Sequence, residues 1–410
     1  MSAKSERLLL AFPHGGFLAH TVRLLEISKV LREQGCRVLF FSQGAYTELI
    51  SQAGFEVEEI FTLDPKALMG RLRYGDVEFY SQETYERSVR EELSVFKQHE
   101  PAGVLGDHRW SLRSSTEIAH VPYVSVLNAS WTRFWELPLR PYYHHPTTRA
   151  LGGGRLARVL IGPLLPLLAG LFKKAGAREQ NRWRRENGLK EYEVHLESFE
   201  GDLNLLADIP EYSPCKALPP NFLYVGPLFW EPDIPVPDWL EAYNKNRPVV
   251  YLTFGSTGLP QYFPVVLDLL RHQDVDVIVT TAGLAEIPNP PENCRVSEIL
   301  PGSAVQRIAD LMVCHGGNGT IYQALSAGVP LVGIPTCITQ EIEMDQVERM
   351  GCGLQVNEVR FRTEELARAI HRVLSEPGFT QRARAIQKAI VPCRPRERAA
   401  EEITRFLARL

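Results

Sequence analysis

The chain has 410 residues, more than one hydrophobic core normally supports, which predicts two domains of roughly 200 residues each. Apolar residues make up 44% and charged residues 23%, and a net charge of −4 gives no footprint for a nucleic-acid partner. Seven cysteines (36, 215, 294, 314, 337, 352 and 393) show no C-x-x-C and no paired Cys/His spacing, so neither a zinc site nor a disulfide framework is expected, and no metal.

The first apolar run, Arg7 to Phe12, breaks at Pro13, which reads as neither a secretory signal nor a spanning segment and points to a cytoplasmic location. After Pro13-His14-Gly15-Gly16 comes an amphipathic stretch from about Ala19 to Gln34 closed by Gly35, then the apolar run Val38 to Phe41. Strand, short glycine turn, helix and strand in that order predict the opening of a doubly wound parallel sheet. Further units read as a helix at Tyr46 to Ala53, a strand at Glu56 to Ile60, a charged helix at Glu78 to His99, and strands at Val104 to Gly106 and Tyr123 to Leu127.

From Ser130 to Arg185 this alternation stops. Trp131, Phe134, Trp135, Tyr142, Tyr143, His144 and His145 cluster in a Pro-containing loop, and Val159 to Phe172 is nearly uncharged, interrupted by Gly162, Pro163, Pro166 and Gly170. That stretch is too short and too broken to span a bilayer. It packs in a core, lines an apolar pocket, or lies on a membrane surface with Arg155, Arg158, Lys173 and Lys174 at its flanks, which would make 155–174 a peripheral contact with the inner membrane face.

Prolines at 210, 214, 219, 220, 227, 232, 235, 237 and 248 have the character of a linker, with Val225-Gly226-Pro227 ending the first domain. A second doubly wound pattern starts at Val249 to Phe254, whose tip Gly255-Ser256-Thr257-Gly258 is a plausible phosphate cradle. Strands are expected at Val275 to Thr280 and Val296 to Leu300, and helices at Thr363 to Leu374, Gln381 to Ile390 and Arg396 to Leu410.

The most informative stretch is Ala309 to Pro335, ADLMVCHGGNGTIYQALSAGVPLVGIP. Leu311 to Cys314 and Leu331 to Ile334 read as buried strands and Thr320 to Ala327 as a helix stopped by Gly328. Glycines 316, 317 and 319 allow close backbone approach, and the helix start offers unpaired N–H groups and the positive end of its dipole. A phosphate or diphosphate suits that gap, with His315 and Thr320 as further donors, while a ligand-free turn is the alternative for the glycines alone. No G-x-G-x-x-G follows a strand, which disfavours a nicotinamide dehydrogenase.

HGG-x-x-T followed by ALSAGVPLVGIP and Gln340 resembles the donor-sugar signature of family 1 glycosyltransferases of the bacterial macrolide and natural-product type. The resemblance implies an α/β protein of the GT-B class, with two doubly wound, Rossmann-like parallel-sheet domains facing across a cleft. Its expected parts are an acceptor domain at 1–226, a linker at 227–248, a nucleotide-sugar domain at 249–392 and a helix at 393–410 crossing back to the first domain. It also implies an inverting, metal-independent transfer from a UDP- or dTDP-sugar co-substrate to a hydroxyl of an apolar or aromatic small molecule or lipid, by a monomer or homodimer with no bound cofactor. His20, fifteen residues before Gly35 as in the family pattern, would be the general base, and Asp107 its carboxylate partner; by residue type alone they read as a helix-start hydrogen-bond partner and an N-cap.

By the same resemblance, Gly255, Ser256, His315, Gly317, Asn318, Gly319 and Thr320 would hold the diphosphate. Trp110, Trp131, Trp135 and Tyr142 would meet the acceptor. Four positions depart from the family pattern: Ile299 where a base-stacking Trp is usual, Gly302 where a Gln follows the proline, Gln323 where a ribose-binding Glu is usual, and Thr339 where an acidic residue precedes Gln340 to bind sugar hydroxyls. Glu341, Glu343 or Asp345 would then compensate. An epimerase acting on a nucleotide-sugar, or a non-catalytic partner on the same scaffold, are the alternative readings.

Overall fold

The computed structural model describes residues 7–74, 81–136, 140–165 and 176–410. The first residues of the helix expected from Glu78, residues 166–172 of the 159–172 stretch, and Lys173 and Lys174 lie outside the described residues.

Two all-parallel sheets form the frame. The first contains β1 (Arg7–Pro13), β2 (Cys36–Phe41), β3 (Glu56–Glu58), β4 (Gly103–Asp107), β5 (Tyr123–Leu127), β6 (Leu203–Leu206) and β7 (Phe222–Tyr224), in the order β3-β2-β1-β4-β5-β6-β7. The second contains β8 (Val249–Thr253), β9 (Asp276–Thr280), β10 (Cys294–Ser297), β11 (Leu311–Cys314), β12 (Leu331–Gly333) and β13 (Gly353–Gln355), in the order β10-β9-β8-β11-β12-β13. This is the expected pair of doubly wound sheets. Their strands are continuous apolar runs because helices cover both faces, so β1, β4, β5, β8 and β11 are buried almost throughout.

In each sheet the strand order reverses once, between β1 and β4 in the first and between β8 and β11 in the second. The loops leaving the carboxyl ends of those strands diverge and open a crevice, the place where such sheets hold ligands. Residues 14–20 and 107–108 leave the first crevice, and residues 254–257 and 315–318 the second. The chain's last helix, Pro395–Leu407, packs Ala399, Ala400, Ile403 and Leu407 into the same core as Leu24, Ile27 and Leu31 of the first lobe.

Elements that differ from the reading of the sequence include the strand β7, the strand before Pro301 and the helix after Cys337. β7 sits inside the proline-rich segment, where Phe222 is pinned by its N–H to the Pro219 carbonyl and three residues were too few to show alternation. The last strand expected before Pro301 lies earlier, at Cys294–Ser297, because Ile299 is left exposed. A helix at Ile338–Arg349 has no apolar stripe, since Gln340, Glu341, Glu343, Asp345 and Gln346 are buried on it beside Met344 and Val347.

Candidate active site

A cavity of about 440 Å³ lies between the two crevices and is bordered by residues of both lobes, His20 from the first and His315 from the second among them. Ser256, Gly317, Asn318, Gly319, Thr320, Ile299, Gln323, Thr339 and Gln340 border it as well.

In the first lobe, His20 lies in the first turn of the helix Leu18–Glu33, and its Nδ1 is 2.7 Å from Asp107 Oδ1 at the end of β4. Asp107 is fully buried and carries a second partner that sequence reading missed: Arg23 donates through Nε to Oδ2 and through Nη2 to Oδ1, each at 2.7 Å. Arg23 Nη1 also donates to Asn128 Oδ1 at 2.7 Å, and its Nη2 approaches His20 Nδ1 to 2.9 Å. A carboxylate only accepts, so the Asp107 contact calls for an Nδ1–H and leaves Nε2 as the basic nitrogen of His20; with that proton in place the Arg23 guanidinium lies beside Nδ1 without donating to it. The carboxylate is therefore shared between ring and guanidinium, and its main effect on His20 is orientation. Arg23 lies three residues after His20 on the same helix face, a spacing that could have revealed it.

His108 stacks on His20 with centroids 4.5 Å apart and planes 15° apart, held there by a left-handed backbone of φ 56°. Burial, and then the neighbouring His20, push the His108 pKa well below its ordinary value. Burial likewise drives His14 down to about 3. Both rings stay neutral, so a positive charge on His20 meets no like charge from them.

In the second lobe, the helix Asn318–Ser326 starts two residues earlier than expected, which places Asn318, Gly319 and Thr320 in its first turn. The Gly317 N-cap offers no side-chain acceptor, so the first N–H groups of that helix remain for a ligand in the cavity. His315 stands between Gly255 and Gly317, where a Cβ would come within 2.6 Å of its Cε1 and 2.5 Å of its Nε2 respectively, so the two glycines make room for the ring. Burial lowers its pKa to about 4, leaving a neutral imidazole that donates one hydrogen bond without presenting a charge.

Several residues expected to meet ligand are occupied otherwise. The Asn318 side chain turns to Asp208 Oδ1 at 3.4 Å and Glu343 Oε2 at 3.3 Å, leaving its backbone N–H for the cavity. Gln340 spends its carbonyl oxygen on the Thr336 N–H at 2.8 Å, and its amide donates to Thr257 Oγ1 at 3.4 Å. Gln323 donates to the Trp230 carbonyl at 3.0 Å, and a Cβ at Gly302 would come within 2.8 Å of its amide, so the glycine at 302 is matched to the amide at 323. Of the compensating acids, Glu341 is consumed by the Tyr143 and His144 backbone and the His144 ring, and Asp345 by Arg140 and Arg349. Only Glu343 borders the cavity.

Of the four acceptor candidates, Trp131 borders the cavity while Trp110, Trp135 and Tyr142 do not. Trp110 packs on Phe199 at 4.6 Å behind His108, Tyr142 is buried, and Trp135 forms an isolated bridge with Cys215. Aromatic content alone does not separate pocket from core. Phe17, Met69, Leu72 and Trp230, none of them anticipated, add the apolar wall instead. Among the described residues, no group of three or more His, Cys, Asp or Glu is placed to hold a metal ion.

Known proteins align with this arrangement. Residues 264–404 match the family described as Erythromycin biosynthesis protein CIII-like, C-terminal domain. The chain is 32% identical over 396 residues to a PGL/p-HBAD biosynthesis glycosyltransferase of Mycobacterium tuberculosis, covering 95% of this chain and 90% of that protein. It is 32% identical over 389 residues to a PGL/p-HBAD biosynthesis rhamnosyltransferase of Mycobacterium bovis, covering 94% and 85%. The solved structure of the glycosyltransferase VinC in complex with DTDP superposes with a TM-score of 0.71 at 21% identity, over 98% of this chain and 100% of that one.

Proposed function

The chain belongs to the glycosyltransferase family of these PGL/p-HBAD biosynthesis enzymes and has the GT-B fold, and from that premise we propose an inverting, metal-independent transfer of a sugar from a nucleoside diphosphate donor to an acceptor hydroxyl. The observation that carries the proposal is the single cavity shared by His20 and His315, one from the reversal point of each sheet.

In this mechanism His20 Nε2 takes the acceptor hydroxyl proton while Asp107 holds Nδ1–H. The oxygen attacks the anomeric carbon from the face opposite the diphosphate, forming the new glycosidic bond as the old carbon–oxygen bond breaks. The electron pair of the broken bond goes to the diphosphate. Its growing charge meets donors already in place: the N–H groups of the first turn at 318–320, the neutral His315 ring, Thr320 and Ser256. Fixed donors of this kind do the work that a cation does elsewhere.

A 6-deoxyhexose is the sugar we favour. Thr339 brings no charge for sugar hydroxyls, and a rhamnosyltransferase stands among the relatives. A dTDP or UDP donor fits the aliphatic Ile299, which is 44% exposed, with Trp230 as a second wall. The apolar side of the cavity, with Phe17, Met69, Leu72 and Trp131, suits an aromatic or lipid-like acceptor.

A thermal-shift panel of dTDP-, UDP- and GDP-sugars, followed by transfer assays in excess chelator with product stereochemistry read by NMR, tests the proposal. Stabilisation by a dTDP- or UDP-sugar and chelator-resistant transfer with inversion are expected. Stabilisation by no nucleotide-sugar would refute the donor site, strict Mg²⁺ dependence the metal-free account, and turnover of donor to an epimer without acceptor the transfer itself.

A further inference from the structure

Nine large apolar side chains are exposed among the described residues, and five of them fall between positions 151 and 164. They are Leu151 (54% exposed), Leu156 (73%), Val159 (71%), Leu160 (58%) and Leu164 (55%). Singly exposed apolar residues are ordinary, whereas this concentration marks a contact surface. Leu156, Val159 and Leu160 stand at i, i+3 and i+4 on the helix Arg155–Ile161 and share one face, while Ala157 and Ile161 on the other side are buried in the protein.

The platform under this helix is anchored. Tyr143 and His144 donate their backbone N–H groups to Glu341 at 2.6 and 3.0 Å, Asn357 donates to the Gly153 carbonyl at 3.0 Å, and Arg360 donates to the Gly152 carbonyl at 2.5 Å. The segment is thus bound to the second lobe on one side and turns its leucines outward on the other.

Charge identifies the partner. From 137 to 178 the sequence has seven Lys or Arg and no Asp or Glu, in a chain whose net charge is −4. We propose that the face formed by Leu151, Leu156, Val159, Leu160 and Leu164 docks on an anionic lipid bilayer, the aliphatic side chains entering the acyl boundary and Arg158 of the same helix meeting the head groups. A second copy of the chain fits less well, because an isologous contact would bring the two basic segments together. The surface deepens the reading of an apolar acceptor, since an enzyme seated on a membrane can draw its acceptor from it.

Co-sedimentation with vesicles needs neither donor nor acceptor, so it can fail while sugar transfer stands. The full chain should sediment with vesicles of phosphatidylcholine and phosphatidylglycerol, bind pure phosphatidylcholine more weakly, and be released in high salt. The variant Leu156→Ser/Val159→Ser/Leu160→Ser should lower binding to the anionic vesicles by about tenfold or more with its thermal midpoint unchanged. Leu156→Ser/Leu160→Ser serves the same purpose if the triple variant unfolds. Three outcomes overturn the proposal: no sedimentation of the wild type with anionic vesicles, equal binding by wild type and variants, or a wild-type dimer that the variants abolish in the absence of vesicle binding.

Discussion

One strand at each reversal point of the two lobes ends in the same tripeptide, His14-Gly15-Gly16 after β1 and His315-Gly316-Gly317 after β11. Both histidines are buried and neutral. What lies beyond the glycines differs. In the first lobe a Cβ at Gly15 would overlap Ser42 Oγ and approach the Gln43 carbonyl to 2.7 Å, and one at Gly16 would come within 2.7 Å of Pro65. There the glycines let protein pack on protein. In the second lobe a Cβ at Gly316 would likewise come within 2.5 Å of Met344 and one at Gly317 within 2.5 Å of the His315 ring, but at Gly319, just past the tripeptide, it would meet only Phe229 at 3.9 Å, and Gly317 and Gly319 both border the cavity. The tripeptide is tightly packed in both lobes, and what sets the second apart is that its helix begins at once at Asn318, with Gly317 as N-cap and Gly319 leaving space in the first turn, where the first lobe caps its helix with Phe17.

The largest effect that sharpens this contrast belongs to the chemistry of the first lobe. His20→Ala should lower kcat by about 10² to 10⁴, the usual weight of a general base, with donor binding in a thermal-shift titration unchanged. Normal turnover would move proton transfer out of this lobe altogether. In the second lobe, His315→Ala should lower kcat/KM for donor by about 10² to 10³, the range for losing one fixed donor to a developing anion. His14→Ala should leave donor affinity alone despite the identical tripeptide, and a loss there would break the comparison.

The glycines give smaller effects that separate stability from binding. Gly15→Ala should cost about 1–3 kcal/mol in chemical denaturation through overpacking against Ser42 and Gln43. Gly319→Ala has room and lies in a helix, so it should gain up to about 1 kcal/mol of stability while raising the donor KM. An unchanged donor KM would place the diphosphate elsewhere.

How much of this was legible depended on how local each signal was. The runs at β1, β5, β8 and β11 were readable because a parallel strand buried on both faces is apolar throughout. The glycine loop at 316–319 was readable because its chemistry is contained in six consecutive residues. The helix Ile338–Arg349 was not, since its acids are neutralised by partners about two hundred residues away, such as His144 for Glu341 and Arg140 for Asp345. Arg23 escaped notice for a related reason, because its role appears only once β4 brings Asp107 beside it across 84 residues. The resemblance places Trp110 and Tyr142 at the acceptor, but burial removes them from the cavity, which local sequence does not show.

The smallest effect tests how the two lobes are joined. Asp208, beyond β6, and Glu343, on the second lobe, are both buried and linked through the Asn318 amide. Burial, reinforced for Glu343 by the neighbouring Asp208, raises both carboxyls above their ordinary range, so the folded protein holds protons there that the unfolded chain has released. Between the ordinary carboxylate range and the raised values, stability therefore falls as pH rises. His14 and His315 act in the opposite sense. With folded values of about 3 and about 4 against 6.5 unfolded, they make stability rise with pH up to that unfolded value. Glu343→Gln removes one of the carboxyls and leaves both histidines. Its stability relative to wild type, measured by urea denaturation across pH 4.5 to 7.5, should accordingly increase steadily with pH; a difference constant over that range would mean that the Glu343 carboxyl is not held protonated at the junction.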